Sequence, residues 1–276
     1  MPNTSLLDKI QDSAFYLLKR IPQKPKVGII FGSGLGGAWL EKHSAIEISY
    51  SEIPHYLKST VLGHPGRLLF GKTGQISWVA AEGRFHFYEG YSMEEVVYPI
   101  RVFKSLGVDT LLLTNAAGGL NPKFKVGDFI LISDHINFTG HHPLRGKNEE
   151  KLGPRFPEMS RAYDPHLIKS LLNSAQRLKI KVKKGIYIGI SGPSYETGAE
   201  VKMFRKLGGD VVGMSTVPEV IAAAHLGLKT AVISCITNML LPPSKAPLSH
   251  DRVLRNAKEN QYKLYQILED YLCNLK

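Results

Sequence analysis

Short runs rich in valine, isoleucine and leucine, at residues 27–31, 76–81, 110–114, 129–133, 186–191 and 230–235, alternate along this chain with amphipathic stretches. That alternation leaves few folds open. Apolar runs with few charges are the mark of strands buried on both faces. The stretches at 6–20, 97–106, 166–178, 199–207, 217–226 and 249–272 carry helical spacing instead. In the last of them Leu254, Ala257, Leu264, Ile267, Leu268 and Tyr271 fall on one apolar stripe, with Ser249 placed to cap it. Strand and helix in turn predict an α/β fold: a single domain over residues 1–276, its central twisted sheet mostly parallel or mixed and flanked by helices. Residues 141–162, with Pro143, Pro154 and Pro157, are the longest segment without periodicity, and such loops are usually functional or disordered.

Composition narrows the function classes. No run approaches the roughly 20 continuous apolar residues of a membrane helix, and the N-terminus lacks a signal-peptide core. Two cysteines, Cys235 and Cys273, stand without metal-type spacing, as expected of a cytoplasmic chain with reduced thiols. Basic residues number 35 against 24 acidic, a formal charge of +11. The excess suits nucleic acid, a membrane surface or a small anionic substrate. Its densest run, Arg177, Lys179, Lys181, Lys183 and Lys184, alternates with Leu178, Ile180 and Val182 and reads as an edge strand with one wet face. No aromatic interleaving accompanies it, which argues against a nucleic-acid groove.

After the first strand comes Gly32-Ser33-Gly34-Leu35-Gly36-Gly37, formally GxGxxG. A dinucleotide site needs a helix and a second parallel strand beyond it. Only seven residues, 38–44, separate Gly37 from the strand-like run at Ala45, fewer than the dozen a parallel crossover takes. What remains is a nest of backbone N–H groups with the Ser33 hydroxyl, suited to one phosphate, or a glycine turn with no ligand. A second anion-binding stretch, Glu82-Gly83-Arg84-Phe85-His86-Phe87-Tyr88, follows the strand at 76–81. If extended, it turns Arg84, His86 and Tyr88 to one face and Phe85 and Phe87 to the other. Arg supplies a bidentate fork for phosphate oxygens and His a further donor, though an edge strand with a polar face shows the same alternation. His64-Pro65-Gly66-Arg67 adds another His/Arg pair, and Asn115-Ala116-Ala117-Gly118-Gly119 is small enough for close backbone approach.

Ser191-Gly192-Pro193-Ser194-Tyr195-Glu196-Thr197-Gly198-Ala199-Glu200 joins a strand-like run to a helix-like one. In an α/β sheet that junction, at the carboxyl end of a strand, is where ligands sit. An aromatic face at Tyr195 covers a flat ligand and Glu196 accepts hydrogen bonds from its edge. A surface turn that merely holds Tyr and Glu fits the same letters.

Together these stretches, with Gly213-Met214-Ser215 and Thr237-Asn238, closely resemble the trimeric family of purine nucleoside phosphorylases from Gly32 to His250. The resemblance implies that Ser33, His64, Arg84, His86, Ala116 and Ser215 bind phosphate. It implies that Tyr88 and Met214 line the ribose and that His250 reaches the 5′-hydroxyl. Tyr195 would lie against the base, with Glu196, Asn238 and Thr237 at its edge. Phe156, in Arg155-Phe156-Pro157, resembles the aromatic that such trimers lend to a neighbouring subunit's site. The implied reaction is reversible phosphorolysis of inosine and guanosine, and of their 2′-deoxy forms, in purine salvage. His86, Glu196 and Asn238 would act catalytically, with inorganic phosphate as co-substrate and neither cofactor nor metal. On this reading Arg84→Ala abolishes turnover and leaves the fold intact.

Some residues depart from the family. Tyr195 stands where Phe is frequent, Gly198 replaces a frequent Pro and so is expected to loosen its turn, and Met239-Leu240-Leu241-Pro242-Pro243 differs from the small residues common in bacterial members. Related methylthioadenosine phosphorylases carry Asp where Asn238 stands, so the amide favours 6-oxopurines. His135, His141 and His142 lack a carboxylate at ligand spacing and read as surface or loop histidines. Rivals are a 6-aminopurine phosphorylase, a Rossmann oxidoreductase and a basic nucleic-acid-binding module.

Overall fold

The computed structural model describes residues 4–60, 65–240 and 249–275. Its strands are β1 (Val27–Phe31), β2 (Ser44–Ser49), β3 (Arg67–Thr73), β4 (Ile76–Glu82), β5 (Thr110–Gly119), β6 (Phe129–Asn137), β7 (Val182–Gly189), β8 (Val211–Gly213) and β9 (Lys229–Met239). Its helices are α1 (Leu6–Leu18), α2 (Gly37–His43), α3 (Met93–Val96), α4 (Tyr98–Leu106), α5 (Pro165–Arg177), α6 (Gly198–Lys206), α7 (Val217–His225) and α8 (His250–Asn274). Every apolar run read from the sequence overlaps a strand, and every amphipathic stretch overlaps a helix.

The described strands form one mixed sheet in the order β2-β3-β4-β1-β5-β8-β7-β6-β9, and β9 pairs back onto β5, so the last five positions close on themselves. Alternate side chains of the central strands feed opposite layers, as period-two geometry requires. Ile30, Leu111, Leu113, Ile130 and Val232 pack with α1, α4 and α7. Ile29, Phe31, Leu112, Leu131 and Ile233 pack with α2, α5 and α8. Caps fix several helix starts: Ser5 and Asp8 form a reciprocal box on α1, and Asp164 accepts from His166 and Leu167 ahead of Pro165.

The basic run is not an edge strand. α5 ends at Arg177, Lys179 sits in the turn at φ 56°, and β7 begins at Val182 between β6 and β8. The lysine–apolar alternation spans a helix end, a turn and a strand start, with Leu178, Ile180 and Val182 packed on the core. The glycine loop also differs in detail from expectation. It does lead into a helix, α2, and β2 then runs parallel to β1, but β4 and β3 lie between them. No adjacent βαβ unit forms, and so no dinucleotide crevice forms there.

One feature of the sheet positions the site. Residues 110–113 of β5 pair with β1, Gly118 and Gly119 pair on the same edge with β8, and β9 follows the whole of the other edge. Between, at residues 114–117, β1 has ended and β8 has not begun. The chain leaving β1 at Gly32 and the chain leaving β8 at Met214 turn away around that fork. Divergence of connections at strand carboxyl ends opens a crevice.

Candidate active site

The fork floors a cavity lined by Ser33, Arg84, His86, Tyr88, Asn115, Ala116, Tyr195, Glu196, Met214, Ser215, Thr237, Asn238 and His250. Gly32 brings the first loop hard against β5: its N–H donates to Thr114 Oγ1 at 3.0 Å, and a Cβ there would lie 2.6 Å from Asn115 Cα. Only glycine fits so close an approach.

Arg84 is buried, its Nε donating to Glu219 Oε1 at 2.8 Å and its Nη1 to the Thr114 carbonyl at 3.0 Å. Nη1 also lies 3.4 Å from Ser215 Oγ. The next residue, Thr216, takes φ 71°, a conformation costly for a β-branched side chain. It is held from two sides: its N–H donates to Glu219 Oε2 at 3.0 Å and its Oγ1 accepts from Asn115 Nδ2 at 3.0 Å.

Residues 84–88 are not an extended strand. β4 ends at Glu82, Gly83 takes φ 132°, and Phe87–Glu89 form one 3₁₀ turn closed by Gly90 at φ 94°. Phe85 is buried against Tyr50 and Tyr91, and the turn rather than the pleat brings Tyr88 alongside His86, their rings stacked at 4.6 Å. Glu89 accepts from the His86 N–H at 2.8 Å and pairs with His86 Nδ1 at 2.9 Å. Burial lowers the His86 pKa below its ordinary value, the Glu89 contact pulls it partly back, and Arg84 pushes it down further. The proton of the neutral ring therefore sits on Nδ1, facing the carboxylate. Burial opposes ionisation of Glu89, yet hydrogen bonds from His86 and Thr60 outweigh it and hold the carboxyl at about 2.

A carboxyl depressed from its ordinary range stabilises the fold above about pH 4.3 and loses that contribution as pH falls toward 2. Glu89→Gln is therefore expected to flatten the loss of stability between about pH 5 and pH 3. Urea unfolding at those two pH values measures it, and an unchanged slope would place the acid sensitivity elsewhere.

The turn after β7 supplies the other end. Gly192 takes φ 67°, and a Cβ on it would lie 2.5 Å from Met214 Sδ and 3.4 Å from the Tyr88 ring, so Met214 and Tyr88 both pack on this turn. Tyr88 thus touches both halves of the cavity. Burial pushes the Glu196 carboxyl above its ordinary range, and no described side chain donates to it. Gly198 is the first residue of α6, which Thr197 and Glu200 start with a reciprocal capping box. Across the cavity, the β5–β9 register shifts where Ala117 opposes Ile236 and Gly118 opposes Asn238, leaving Thr237 as the extra residue of a bulge. Thr237 Oγ1 donates to Asn238 Oδ1 at 3.1 Å, and Asn256 holds the Thr237 carbonyl at 2.6 Å. With Oδ1 occupied, Asn238 presents its NH₂ as the donor. His250, the first residue of α8, and Val253 close the rim.

His64 lies outside the described residues, as do Leu241, Pro242 and Pro243 of the Met239 stretch. Phe156 is not brought to this cavity; it is 87% exposed on a loop tied by Arg155 Nη1 to the carbonyls of Leu144 (3.1 Å) and Gly146 (2.9 Å). Arg67 turns instead to Glu82 at 2.6 Å and Glu47 at 2.8 Å. His135 pairs with Tyr163 OH at 2.9 Å, and His141 packs on Phe87. Among the described residues no group of three or more His, Cys, Asp or Glu is placed to hold a metal ion, and no helix is long and apolar enough to cross a membrane. Sequence reading did not single out Glu89, Thr216 or Glu219. Glu89, three residues after His86, left a local signal, and so did Thr216 and Glu219, which stand as Thr-x-x-Glu at the start of α7.

Such a cavity, with a guanidinium, an imidazole and hydroxyls on one side and a carboxylate and an amide on the other, suits an anion and a flat polar heterocycle together. Residues 26–272 match the family model described as the phosphorylase superfamily. Purine nucleoside phosphorylase 1 of Bacillus subtilis is 49% identical over 247 residues, covering 90% of this chain and 91% of that protein. The purine nucleoside phosphorylase of Bos taurus is 46% identical over 282 residues, covering 100% and 98%. Isoform 2 of the Schistosoma mansoni purine nucleoside phosphorylase, solved with cytosine and ribose-1-phosphate, superposes with a TM-score of 0.94 at 42% identity, covering 100% of this chain and 99% of that one. The chain belongs to the purine nucleoside phosphorylase family of pentosyltransferases within that superfamily.

Proposed function

We propose that this cavity catalyses reversible phosphorolysis of 6-oxopurine nucleosides, inosine and guanosine with their 2′-deoxy forms, to free base and pentose 1-phosphate. The observation that carries the reading is one cavity lined by Arg84, His86, Ser33, Ala116 and Ser215 as well as by Tyr195, Glu196 and Asn238. Tyr88 and Met214 pack on the turn that carries the base residues, which suits ribose contacts, and His250 at the rim suits the 5′-hydroxyl.

Breaking the glycosidic bond builds positive charge on the sugar and negative charge on the departing purine. Phosphate held by Arg84, His86 and Ser33 stabilises the first and then captures the sugar. This is positioning and electrostatics without a protein nucleophile. Glu196, partly desolvated and lacking a side-chain donor among the described residues, gains from the N1–H of a 6-oxopurine. The Asn238 NH₂ donates to N7, a bond that strengthens as charge develops there.

The reading includes no metal and no organic cofactor, only inorganic phosphate as co-substrate. It makes the chain a cytoplasmic homotrimer acting as one domain, in which the exposed Phe156 serves a neighbouring subunit's site. Exposed Phe138, Met203 and Leu207 supply further apolar surface for assembly.

Inosine is expected to yield hypoxanthine only when phosphate is present, with adenosine a poor substrate, as followed by base release with and without phosphate. Release without phosphate, or adenosine turnover equal to that of inosine, would overturn the reading.

A further inference from the structure

Two of the elements that carry the phosphate half, the turn after β4 and the turn after β8, are joined through a side chain of α7. Glu219, in the first turn of α7, is buried. One carboxylate oxygen accepts from Arg84 Nε at 2.8 Å and the other from the Thr216 N–H at 3.0 Å. Arg84 and Glu219 are 135 residues apart in sequence. We propose that Glu219 is a positioning residue for phosphate: its carboxylate sets Arg84 and the Ser215–Thr216 turn at a fixed separation, so that guanidinium and hydroxyl meet the same anion. The inference rests on the functional reading above and assigns Glu219 no contact with substrate.

The geometry explains the positive φ at Thr216. A β-branched residue does not hold φ 71° unless its surroundings impose it. Here the Thr216 N–H is drawn to Glu219 and Thr216 Oγ1 to Asn115 Nδ2. The same conformation leaves the Ser215 hydroxyl 3.1 Å from Thr216 Oγ1 and within reach of Arg84 Nη1. The Arg84 Nη1 donation to the Thr114 carbonyl ties the guanidinium to the β5 fork as well. A carboxylate has two oxygens for two donors, whereas an amide has one acceptor and an NH₂ that repels the second donor. Glu219→Gln therefore keeps shape and volume but cannot serve both elements.

The test compares wild type, Glu219→Gln and Glu219→Asp, the last of which keeps the charge but shortens the reach by one methylene. The Michaelis constant for phosphate is measured at saturating inosine, that for inosine at saturating phosphate, and each protein is melted thermally. The expected result for both variants is a phosphate KM raised about tenfold or more, with the inosine KM within about twofold of wild type. A purely structural role predicts lowered melting temperatures with both constants unchanged, and that outcome overturns the proposal. So do equal rises in both constants, a loss confined to kcat, or failure of both variants to fold. If wild type itself does not turn over inosine with phosphate, the functional reading has failed. A wild type that turns over normally beside variants with an unchanged phosphate KM removes the positioning role alone.

Discussion

Arg84→Lys is expected to lower kcat/KM for inosine phosphorolysis by about 10²–10³-fold, and Arg84→Ala to abolish measurable turnover and destabilise the protein as well. The loss from lysine follows from geometry. The guanidinium donates at once to Glu219, to the Thr114 carbonyl and toward Ser215. A lysine ammonium is a point charge that cannot reproduce that fork while also facing an anion. Losing one preorganised donor from a transition state costs about 2.7–4 kcal/mol. Reading the residues in isolation, an alanine at 84 leaves the fold untouched. The buried pair adds a stability cost to that expectation, because alanine leaves the Glu219 carboxylate with the Thr216 N–H but without its cationic partner. Removing one member of a buried pair costs about 3–5 kcal/mol.

The two effects separate in a double variant. Arg84→Met with Glu219→Leu replaces the buried pair by apolar groups, so the melting temperature is expected to recover part of the loss, the Thr216 N–H and Thr114 carbonyl still lacking these partners, while activity stays absent. Thermal melts and phosphate-dependent base release on the three variants measure this. A wild-type melting temperature for Arg84→Ala would show that the pair is not buried as described.

The sequence marks the middle of the sheet and leaves its margins faint. β1, β5 and β9 are buried almost throughout, so their composition alone betrays them. β3 mixes Arg67 and Lys72 into an antiparallel ribbon, and β8 is three residues long, too short for any period to register. Residues 84–88 show how one pattern serves two structures. Polar Arg84, His86 and Tyr88 against apolar Phe85 and Phe87 satisfy a pleated strand, but glycines with positive φ at 83 and 90 and the Glu89 cap bend the segment into a 3₁₀ turn. In the site, Ser33, Arg84, His86, Tyr195, Glu196, Met214 and Ser215 arrive in one cavity because each follows the end of a strand, and Ala116 of β5 and Asn238 of β9 meet them at the fork. The supporting residues stayed hidden for the opposite reason. Glu219 caps α7 locally at Thr216, but its second partner, Arg84, lies on another element, and the bulge at Thr237 exists only in the pairing of β9 with β5. Tertiary contacts of that kind leave no local signature.

Asn238→Asp is expected to raise the ratio of adenosine to inosine kcat/KM by about 10² or more. Thr237 Oγ1 donates to one side of the Asn238 amide and fixes the other side as donor. An aspartate keeps the Thr237 contact through one oxygen and turns an acceptor toward the base. For inosine, N7 then loses its donor and the developing purine anion faces a carboxylate, so the barrier rises by at least the 2.7–4 kcal/mol of a lost donor. For adenosine, the new oxygen accepts from the 6-amino group. Asn238→Ala is the control, since it removes the donor without adding an acceptor and lowers both activities. Glu196 adds a pH signature. Burial already raises its carboxyl, and a second carboxylate on the same cavity raises it further by like-charge repulsion. The protonated form donates, which suits the acceptor N1 of adenine, whereas the ionised form suits the N1–H of hypoxanthine. Because a raised pKa extends the protonated fraction upward in pH, adenosine turnover by the aspartate variant should climb relative to inosine as pH is lowered from about 8 to about 6. Initial rates on both nucleosides at those two pH values decide it. A variant as poor on adenosine as Asn238→Ala at every pH would remove residue 238 from the base edge.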